Sequence, residues 1–556
     1  MNRLMLFVVF VFTLLPPASA QPVITIDPSV RYQTIRGFGG SMAFSEAFLN
    51  TMPQSAFDHL VWRLFEDLRV GIVRVRMRNE IEPANDNGNP DSINWGNVHA
   101  LPDTAVIRLI RAARVRGNNV QVLVTPWSPP SWIKTNDTTI NGGHLRVGME
   151  AELAEWVRIF LLLWENQYGL PIQLLSIQNE PSYVATYESC IYTPAEMNRA
   201  LRSVVPRLRA WGFDSLQIIA PDDLSAEGSL TFADSLLLVP DVRAMLTGFA
   251  VHNYSTVYST PTSKVSLLQN IKQRCTSASV PVWHTEYGNL SNYAAGSLAE
   301  AVLEAWHWIV ALNDLGSSTY LHWQLAASTR SNSNPLGTAL VQFHNDNSTF
   351  YIPRKYFFVK QFSRFIRPGM VRINLTGLPA SVLGTAFHDG ANGVTVLENL
   401  NSTAQSVRLS WPGADTLALW RTSRTDTCIQ LPPLVRNGSF FDLTMPDSSI
   451  VSLVGTLQGT NDVASTDQSI EYHLFQNYPN PFNPSTQISF SIPHSSFVNL
   501  AVFDILGRQV ATLVDNLMQS GSHQVIFDAG TVSNGVYYYR MTVGNFSDTK
   551  KLVLIR

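Results

Sequence analysis

Leu174-Leu-Ser-Ile-Gln-Asn-Glu-Pro181 and Val280-Pro-Val-Trp-His-Thr-Glu-Tyr-Gly288 are the two stretches that decide the fold prediction. Each reads as a short apolar strand that ends in a glutamate, Glu180 in the first and Glu286 in the second. Continuous rather than alternating hydrophobicity is typical of parallel strands that are buried on both faces. The two stretches therefore predict a buried parallel sheet with an acidic residue at the end of two of its strands.

The same kind of apolar run recurs along the first two thirds of the chain. The predicted strands are 34–38, 71–76, 119–125, 173–178, 216–220, 247–252, 281–285 and 318–324. Amphipathic, helix-like stretches alternate with them, at 102–116, 149–167, 194–211, 296–312 and 354–364. Eight strands and their helices over residues 34–366 indicate a (β/α)8 TIM barrel, an α/β fold. A doubly wound open sheet is the second interpretation, but no Gly-rich dinucleotide loop follows the first strand.

The segments outside the barrel have different patterns. Residues 1–20 read as a signal peptide, with Arg3, an apolar run and Ala18-Ser-Ala20 before the expected cleavage site. Short alternating strands at 367–456 predict a side all-β sandwich, which residues 21–33 are expected to join. A Gly/Thr/Asn/Asp/Ser-rich linker at 457–470 precedes a third, small β-sandwich at 471–556.

Charge and cysteine content limit the classes of function. The formal net charge is -3, and no basic run is present, which argues against nucleic acid and anionic membrane surfaces as partners. After the signal peptide no segment is long and apolar enough to predict a membrane span. No Cys or His spacing resembles a metal site, and we expect no cofactor. The three cysteines leave room for one disulfide, with Cys190 and Cys275 as one possible pair.

The barrel prediction places chemistry where strands end and the following loops begin. Polar and aromatic side chains cluster at these positions: Trp127, Trp132, Asn179, Glu180, His252, Tyr254, Glu286, Tyr287 and Trp323. Two carboxyl groups at one rim are what glycoside hydrolysis needs, one as proton donor and one as nucleophile or base. The G-x-S-x-G, H-E-x-x-H and P-loop motifs of other mechanisms do not occur.

Each residue of the predicted site has an expected role. Glu180 is expected to be the general acid/base, because burial near a second carboxylate raises a carboxyl pKa. Glu286 is expected to be the nucleophile, held ionised by a hydroxyl such as that of Tyr254. Asn179 is expected to hydrogen-bond a sugar 2-hydroxyl. The alternatives are a surface loop carboxylate for Glu180 and a buried ion pair for Glu286.

The remaining predicted site residues are expected to bind substrate. Trp127, Trp132, Tyr254 and Trp323 are candidate platforms for sugar rings, with rim packing as the alternative for each. His252 is grouped with the substrate-binding residues, although a structural or hydrogen-bonding role fits it better than catalysis. Tyr287, next to Glu286, completes this set.

Several motifs together resemble glycoside hydrolase family 30. They are Arg36-Gly-Phe-Gly-Gly40, Thr125-Pro-Trp-Ser-Pro-Pro-Ser-Trp-Ile-Lys134, Ser176-Ile-Gln-Asn-Glu-Pro181, His284-Thr-Glu-Tyr287 and Gln361-Phe-Ser-Arg-Phe-Ile-Arg-Pro-Gly369. The resemblance covers residues 22–456 and implies a (β/α)8 barrel with a side β-sandwich that acts with retention of configuration. It places the acid/base on Glu180, its neighbouring asparagine on Asn179 and the nucleophile on Glu286.

The resemblance leaves several substrates open. The family includes endo-β-1,4-xylanases, β-1,6-glucanases and β-glucosylceramidases. The runs at 132–143 and Tyr187-Glu-Ser-Cys-Ile-Tyr192 look closer to the xylan-active branch. Members that require glucuronate branches carry an arginine cluster after strand eight, where this chain has one arginine, Arg330. The single arginine argues against a strict requirement for glucuronate. The main chain of xylan or glucuronoxylan is the expected substrate, with Arg330 as a candidate branch contact.

The tail resembles the C-terminal sorting domain of the type IX secretion system. The resemblance rests on Asn477-Tyr-Pro-Asn-Pro-Phe-Asn-Pro484, Asp504-Ile-Leu-Gly-Arg508 and Gly535-Val-Tyr-Tyr-Tyr-Arg540. It implies the secretion machinery as a partner and export across both membranes of a Gram-negative-type bacterium, to the medium or the cell surface. An accessory carbohydrate-binding module is the alternative for the tail. For the whole chain, the alternative is a non-catalytic surface glycan binder.

Overall fold

The computed structural model describes most of the chain, segment by segment. It covers residues 21–45, 47–85, 87–100, 105–254, 264–288, 296–328, 338–344, 348–457, 472–477, 479–492, 496–518, 521–530, 532–544 and 546–555. The expected signal peptide, almost all of the expected linker and Arg330 lie outside these residues.

Eight parallel strands close into a barrel within the described residues. They are β2 (Gly37–Ser41), β3 (Ile72–Met77), β4 (Gln121–Pro126), β5 (Leu174–Ser176), β6 (Gln217–Asp223), β7 (Gly248–Val251), β8 (Val282–Tyr287) and β9 (Ser317–His322). Neighbouring strands pair in parallel, and β2 pairs with both β3 and β9, which closes the ring. The predicted TIM barrel is confirmed, and the open sheet is excluded.

Helices separate the barrel strands in the order that a (β/α)8 fold requires. They are α1 (Gln54–Val61, continued by a π-helical turn Trp62–Asp67), α2 (Ala105–Val115), α3 (Glu150–Tyr168), α4 (Pro194–Ala210), α5 (Ala226–Leu236), α6 (Pro240–Met245), α7 (Val265–Ser277), α8 (Leu298–Asn313) and α9 (Arg354–Ser363). Short 3-10 turns lie at Ala47–Asn50, Asn79–Ile81 and Ser131–Ile133. A small sheet follows the barrel, formed by β10 (Ala326–Ser328), β11 (Val341–Phe343) and β12 (Phe350–Tyr351).

The first barrel strand begins three residues later than predicted. Its sequence is Gly37-Phe-Gly-Gly-Ser41, and glycine counts against a strand by propensity. Here the neighbouring strands require glycine, because a Cβ on Gly39 would lie 1.8 Å from the carbonyl oxygen of Ile72. Close packing of two backbones therefore overrides the low strand propensity of this segment.

A second unit is all β. Its strands are β1 (Val23–Thr34), β13 (Val371–Thr376), β14 (Val382–His388), β15 (Asn392–Asn399), β16 (Gln405–Ser410), β17 (Thr416–Thr422), β18 (Thr427–Val435), β19 (Phe441–Met445) and β20 (Ser449–Thr456). They form one hydrogen-bonded sheet in the order β18-β17-β20-β15-β14-β13-β1-β16-β19. Leu417 of β17 and Phe441 of β19 share one core although their strands lie near opposite ends of this order. The sheet therefore folds over itself as a sandwich, and β1 joins it as predicted.

The C-terminal segment forms a small sandwich of its own. Its strands are β21 (His473–Leu474), β22 (Ser485–Ile492), β23 (Ser496–Asp504), β24 (Gln509–Met518), β25 (Gly521–Asp528), β26 (Gly535–Val543) and β27 (Phe546–Leu554). They form two sheets, β21-β22-β25 and β24-β23-β26-β27. One apolar core that includes Phe490, Leu500 and Tyr539 packs between the two sheets.

Candidate active site

The interior of the barrel changes from apolar to polar over two residues of five strands. An apolar ring crosses the barrel, with one residue from each of seven strands: Ile72, Leu123, Leu174, Ile219, Ala250, Trp283 and Leu321. Side chains two positions apart on a strand point to the same face. The next inward positions toward the carboxyl ends carry polar residues: Arg74, Thr125, Ser176, His252 and Thr285. The apolar ring is thus the floor of a polar site at the carboxyl end of the barrel.

Arg74 and Asp222 form a charged pair at the centre of this site. Both side chains have no exposed surface, and Arg74 Nη2 donates to Asp222 Oδ2 at 2.9 Å. Ser176 Oγ donates to the same oxygen at 2.7 Å, and Thr285 Oγ1 donates to Oδ1. Burial acts to raise the pKa of Asp222, but the charges of Arg74 and His252 and these hydrogen bonds together lower it. Asp222 is therefore a fixed negative charge.

Glu180 is held by its backbone between two strands. Its backbone amide donates to the carbonyl oxygen of Asp222 at 2.9 Å. The backbone amide of Asn179 donates to the carbonyl oxygen of Pro126 at 2.8 Å. The φ angle of Glu180 is 47°, in the left-handed region, where a non-glycine residue costs about 1 kcal/mol or more. The hydrogen bonds to β4 and β6 hold this conformation and direct Glu180 into the site.

Glu286 lies on β8 and contacts two donors. Arg74 Nη1 forms an ion pair with Oε2, and the hydroxyl of Tyr254 donates to Oε1 at 2.9 Å. The expected hydrogen bond between Tyr254 and Glu286 is thus confirmed. Arg74 Nη2 also donates to the side-chain oxygen of Asn179 at 2.8 Å. This contact fixes the orientation of the Asn179 side-chain amide.

His252 joins three carboxyl groups. Its Nε2 lies 3.0 Å from Asp222 Oδ1, and its Nδ1 lies 3.1 Å from Glu180 Oε1 and 3.9 Å from Glu286 Oε1. Burial opposes the charged imidazolium, but the charges of Glu286 and Asp222 and two hydrogen bonds raise the pKa of His252 to about 10. His252 is therefore a cation at neutral pH.

The two glutamates have different surroundings although they lie close together. Burial raises the pKa of Glu180, and the nearby charge of Glu286 adds to this effect, against the lowering influence of His252 and Arg74. Glu286, in contrast, contacts Arg74 directly. One carboxyl oxygen of each glutamate and a ring nitrogen of His252 lie within 4.8 Å of one another, a spacing that would also suit a metal ion.

Aromatic side chains surround the mouth of the site. The ring of Phe44 packs edge-on at 5.3 Å from Trp127 and at 6.5 Å from Trp323, measured between centroids. Tyr187 also reaches Phe44, at 6.4 Å, and 48% of its surface is exposed. Trp127 is almost wholly buried under the guanidinium of Arg74, 4.7 Å from the ring, whereas Trp323 is half-buried.

The structure places two of the predicted substrate-binding residues, Tyr287 and His252, away from a contact surface. Tyr287 has no exposed surface and stacks on His307 at 3.5 Å, so it packs behind Glu286 instead of facing a ligand. His252 is equally buried, and its neighbours are the carboxyl groups described above. Trp132 is half-buried and donates its indole N–H to the carbonyl oxygen of Glu82 at 3.0 Å. Cys190 and Cys275 are free and buried, so the possible disulfide between them is absent.

Sequence reasoning missed Arg74, Asp222, Phe44 and the packing of Tyr187. For Arg74 the signal was present, since an arginine at a buried position of a barrel strand must find a carboxylate partner. For Asp222 the signal was the acidic pair that follows the apolar run Ile218-Ile-Ala220. Phe44 lies in a loop whose position no periodicity reveals.

Comparison with known proteins identifies the barrel. Residues 35–292 match the glycosyl hydrolase family 30 TIM-barrel domain. The barrel belongs to glycoside hydrolase family 30. The resemblance seen in the sequence motifs is thus confirmed for the barrel.

Individual relatives of this chain have names that indicate different substrates. A glucuronoxylanase of Bacillus subtilis is 24% identical over 78% of this chain and 91% of its own length. An endo-1,6-β-D-glucanase of Neurospora crassa is 26% identical over 69% of this chain and 83% of its own length. Among solved structures, the catalytic domain of a family 30 xylanase from Talaromyces cellulolyticus matches with a TM-score of 0.65 and 24% identity, over 78% of this chain and all of that one.

The C-terminal domain is identified separately. Residues 476–555 match a secretion-system C-terminal sorting domain, which confirms the second resemblance and indicates a secreted or cell-surface protein. In the described part of the chain no helix combines the length and apolarity needed to cross a membrane.

Proposed function

We propose that this family 30 protein is a retaining glycanase in which Glu286 is the nucleophile and Glu180 the general acid/base. The observation that carries the proposal is the pairing of two glutamates in opposite environments, with carboxyl oxygens within 4.8 Å of each other. Retaining enzymes keep their carboxyl groups roughly 5–5.5 Å apart, whereas inverting enzymes need a gap of about 6.5–9.5 Å for a water molecule.

In the first step, the Glu286 carboxylate attacks the anomeric carbon while the Glu180 carboxyl group gives its proton to the leaving glycosidic oxygen. The raised pKa of Glu180 favours the protonated form that this step requires. Arg74 and Tyr254 orient the attacking carboxylate.

In the second step, Glu180 takes a proton from water, and the resulting hydroxide displaces Glu286 from the anomeric carbon. Two displacements on opposite faces restore the original configuration. Asn179, whose amide oxygen is already bonded to Arg74, offers its NH2 group to the 2-hydroxyl of the bound sugar. Such a bond strengthens in the transition state.

For the substrate, we propose the β-1,4-linked main chain of xylan or glucuronoxylan, cleaved internally. Support comes from the glucuronoxylanase of B. subtilis and the T. cellulolyticus xylanase, which both cover most of this chain. The endo-1,6-β-D-glucanase of N. crassa makes β-1,6-glucan the second candidate. We further propose that a signal peptide and the sorting domain direct export across both bacterial membranes to the cell surface or the medium.

The test compares wild type with Glu286→Gln and Glu180→Gln on linear xylan, glucuronoxylan, β-1,6-glucan and aryl β-glycosides. We expect xylo-oligosaccharides from wild type only, with the β-anomer as the first product in a time-resolved proton NMR spectrum. Glutamine matches glutamate in size but cannot attack or donate the proton, so we expect both variants to fold and to be inactive on polysaccharide.

Activity on β-1,6-glucan alone would overturn the proposed substrate. An α-anomer as the first product would overturn retention. Binding without hydrolysis by wild type would favour a glycan-binding protein.

A further inference from the structure

A second charged pair lies beside the aromatic mouth of the site. Arg76 is two residues beyond Arg74 on β3, so both side chains leave the strand on the same face. Arg76 Nη1 donates to Oε1 of Glu188 at 3.0 Å, and the exposed fractions of the two side chains are 12% and 16%. The pair is therefore largely shielded from bulk water but still open to a ligand at the barrel mouth.

The pair continues the aromatic cluster around Phe44. The guanidinium carbon of Arg76 lies 4.5 Å from the Phe44 ring centroid, and that ring in turn packs on Trp127. Glu188 follows directly after Tyr187, the exposed aromatic residue of the same cluster. A ligand that fills the space over Glu180 and Glu286 and extends along these rings would therefore meet Arg76 and Glu188.

Arg76 has unused hydrogen-bonding capacity. The guanidinium has five N–H groups, and Nε is buried without a partner among the described residues. The bond to Glu188 is the single hydrogen bond that its side chain makes within the described part of the protein. A cation that only stabilised the fold would be expected to use more of its donors when nearly buried.

We propose that Arg76 and Glu188 together bind the hydroxyl groups of a neutral sugar unit next to the one that is attacked. This inference rests on the proposed function and adds a residue pair that determines substrate length. A sugar hydroxyl accepts from the arginine and donates to the carboxylate, so neighbouring hydroxyls of one ring fit a charged pair of this kind.

The charges around the pair favour a neutral unit over a uronic acid. Glu188 already neutralises Arg76, and the charge of Glu80 also acts on Glu188. A uronate carboxylate placed against Arg76 would face the carboxylate of Glu188, which would repel it. The pair thus selects an unsubstituted sugar at this position.

The experiment measures kcat/KM for linear β-linked oligosaccharides of increasing length, with Arg76→Met, Glu188→Gln and the control Arg78→Met. Arg78 follows β3 directly, and its Nη2 donates to Glu80 Oε1 at 2.6 Å. Arg76, and not Arg78, lies over the ring of Phe44. Because hydrogen bonds to charged groups are strong, we expect Arg76→Met to lose about 10–100-fold on substrates long enough to reach the pair. The loss should grow with chain length and should be absent in the control.

Glu188→Gln provides the second, independent measurement. The neutral amide leaves Arg76 with an uncompensated charge, so the ratio of kcat/KM for glucuronate-substituted over linear oligosaccharides should rise about tenfold. The inference would be overturned if Arg76→Met left kcat/KM unchanged or lowered it equally at every substrate length. It would also be overturned if the ratio measured for Glu188→Gln did not rise. Cleavage of the shortest substrate by wild type but not by Glu286→Gln tests the proposed function separately.

Discussion

Replacement of Asp222 by asparagine tests the charge arrangement at the centre of the site. Asparagine has nearly the same shape, but it carries no charge and offers an amide to two cationic donors, Arg74 and His252. Loss of one partner of a buried ion pair costs about 3–5 kcal/mol. Arg74 keeps its contact with Glu286, and His252 can release its proton. We therefore expect the free energy of unfolding to fall by about 3 kcal/mol, at the lower end of that range.

The same variant should change the pH dependence of stability. In wild type, the pKa of His252 rises from an ordinary value of 6.5 to about 10 on folding. The stability that this shift contributes is fully present below pH 6.5 and is lost as the pH rises through about 10. The pKa of Asp222 is lowered on folding, so its contribution is present above the ordinary value of 3.8 and is lost as the pH falls below that value. Asp222→Asn should flatten both limbs of a plot of unfolding free energy against pH.

Activity should change in a specific direction. Without Asp222 the pKa of His252 falls, and a neutral His252 no longer lowers the pKa of Glu180. The alkaline limb of kcat/KM reports loss of the essential proton from the free enzyme, so this limb should move to higher pH. Misplacement of the catalytic groups should also reduce the maximal rate by about 10²-fold.

Asp223→Asn is the matched control. Asp223 is also without exposed surface, but it accepts from the backbone amides of Ser182 and Ser225 and not from Arg74. Urea unfolding should be measured from about pH 2 to about pH 11, and kcat/KM over the part of that range in which each variant is folded, for both variants. If Asp222→Asn left the alkaline limb in place, or if Asp223→Asn moved it equally, the reasoning about His252 would be refuted.

Three further predictions concern other parts of the molecule. Tyr254→Phe removes the 2.9 Å hydrogen bond to Glu286 and should lower kcat about 10–100-fold without a change in urea midpoint; a wild-type rate would contradict this role. Gly39→Ala places a methyl group 1.8 Å from the carbonyl oxygen of Ile72, so little soluble, folded protein should be recovered; a variant with a wild-type melting curve would contradict that packing. The Cys190 thiol is buried, and burial raises its pKa to about 12. Cys190 and the other buried cysteines should therefore react with a thiol-exchange reagent only in denaturant. Rapid labelling of the native protein would contradict this.

The barrel could be predicted from the sequence because its strands are buried on both faces. Burial on both faces leaves runs such as Leu174–Ile177 and Val280–Trp283 without polar alternation, and eight such runs between amphipathic helices admit few folds. The strand at Gly37–Ser41 was placed less well, because the close approach of two backbones is a property of the folded sheet and not of local propensity.

The site could be predicted in part. Glu180 and Glu286 end apolar strands, and a barrel brings such ends together, so their proximity followed from topology. The pairing of Arg74 with Asp222 and Glu286 depends on three strands that are distant in sequence, and no spacing in the chain encodes it. Tyr287 was misplaced for a related reason, since β8 shifts register against β9 between His284 and Tyr287, and no spacing in the sequence reveals this irregularity.

The charges around His252 have a consequence for the complete reaction cycle. Under the proposed double displacement, Glu286 loses its charge when it becomes an ester, and in the same step Glu180 gains one by giving up its proton. The total charge inside the barrel is then the same before and after the step. One negative charge has passed from Glu286 to Glu180. Their Oε1 atoms lie 3.9 Å and 3.1 Å, respectively, from Nδ1 of the His252 imidazolium. A single set of fixed cations can thus solvate both halves of the cycle, and the protein interior need not reorganise between them.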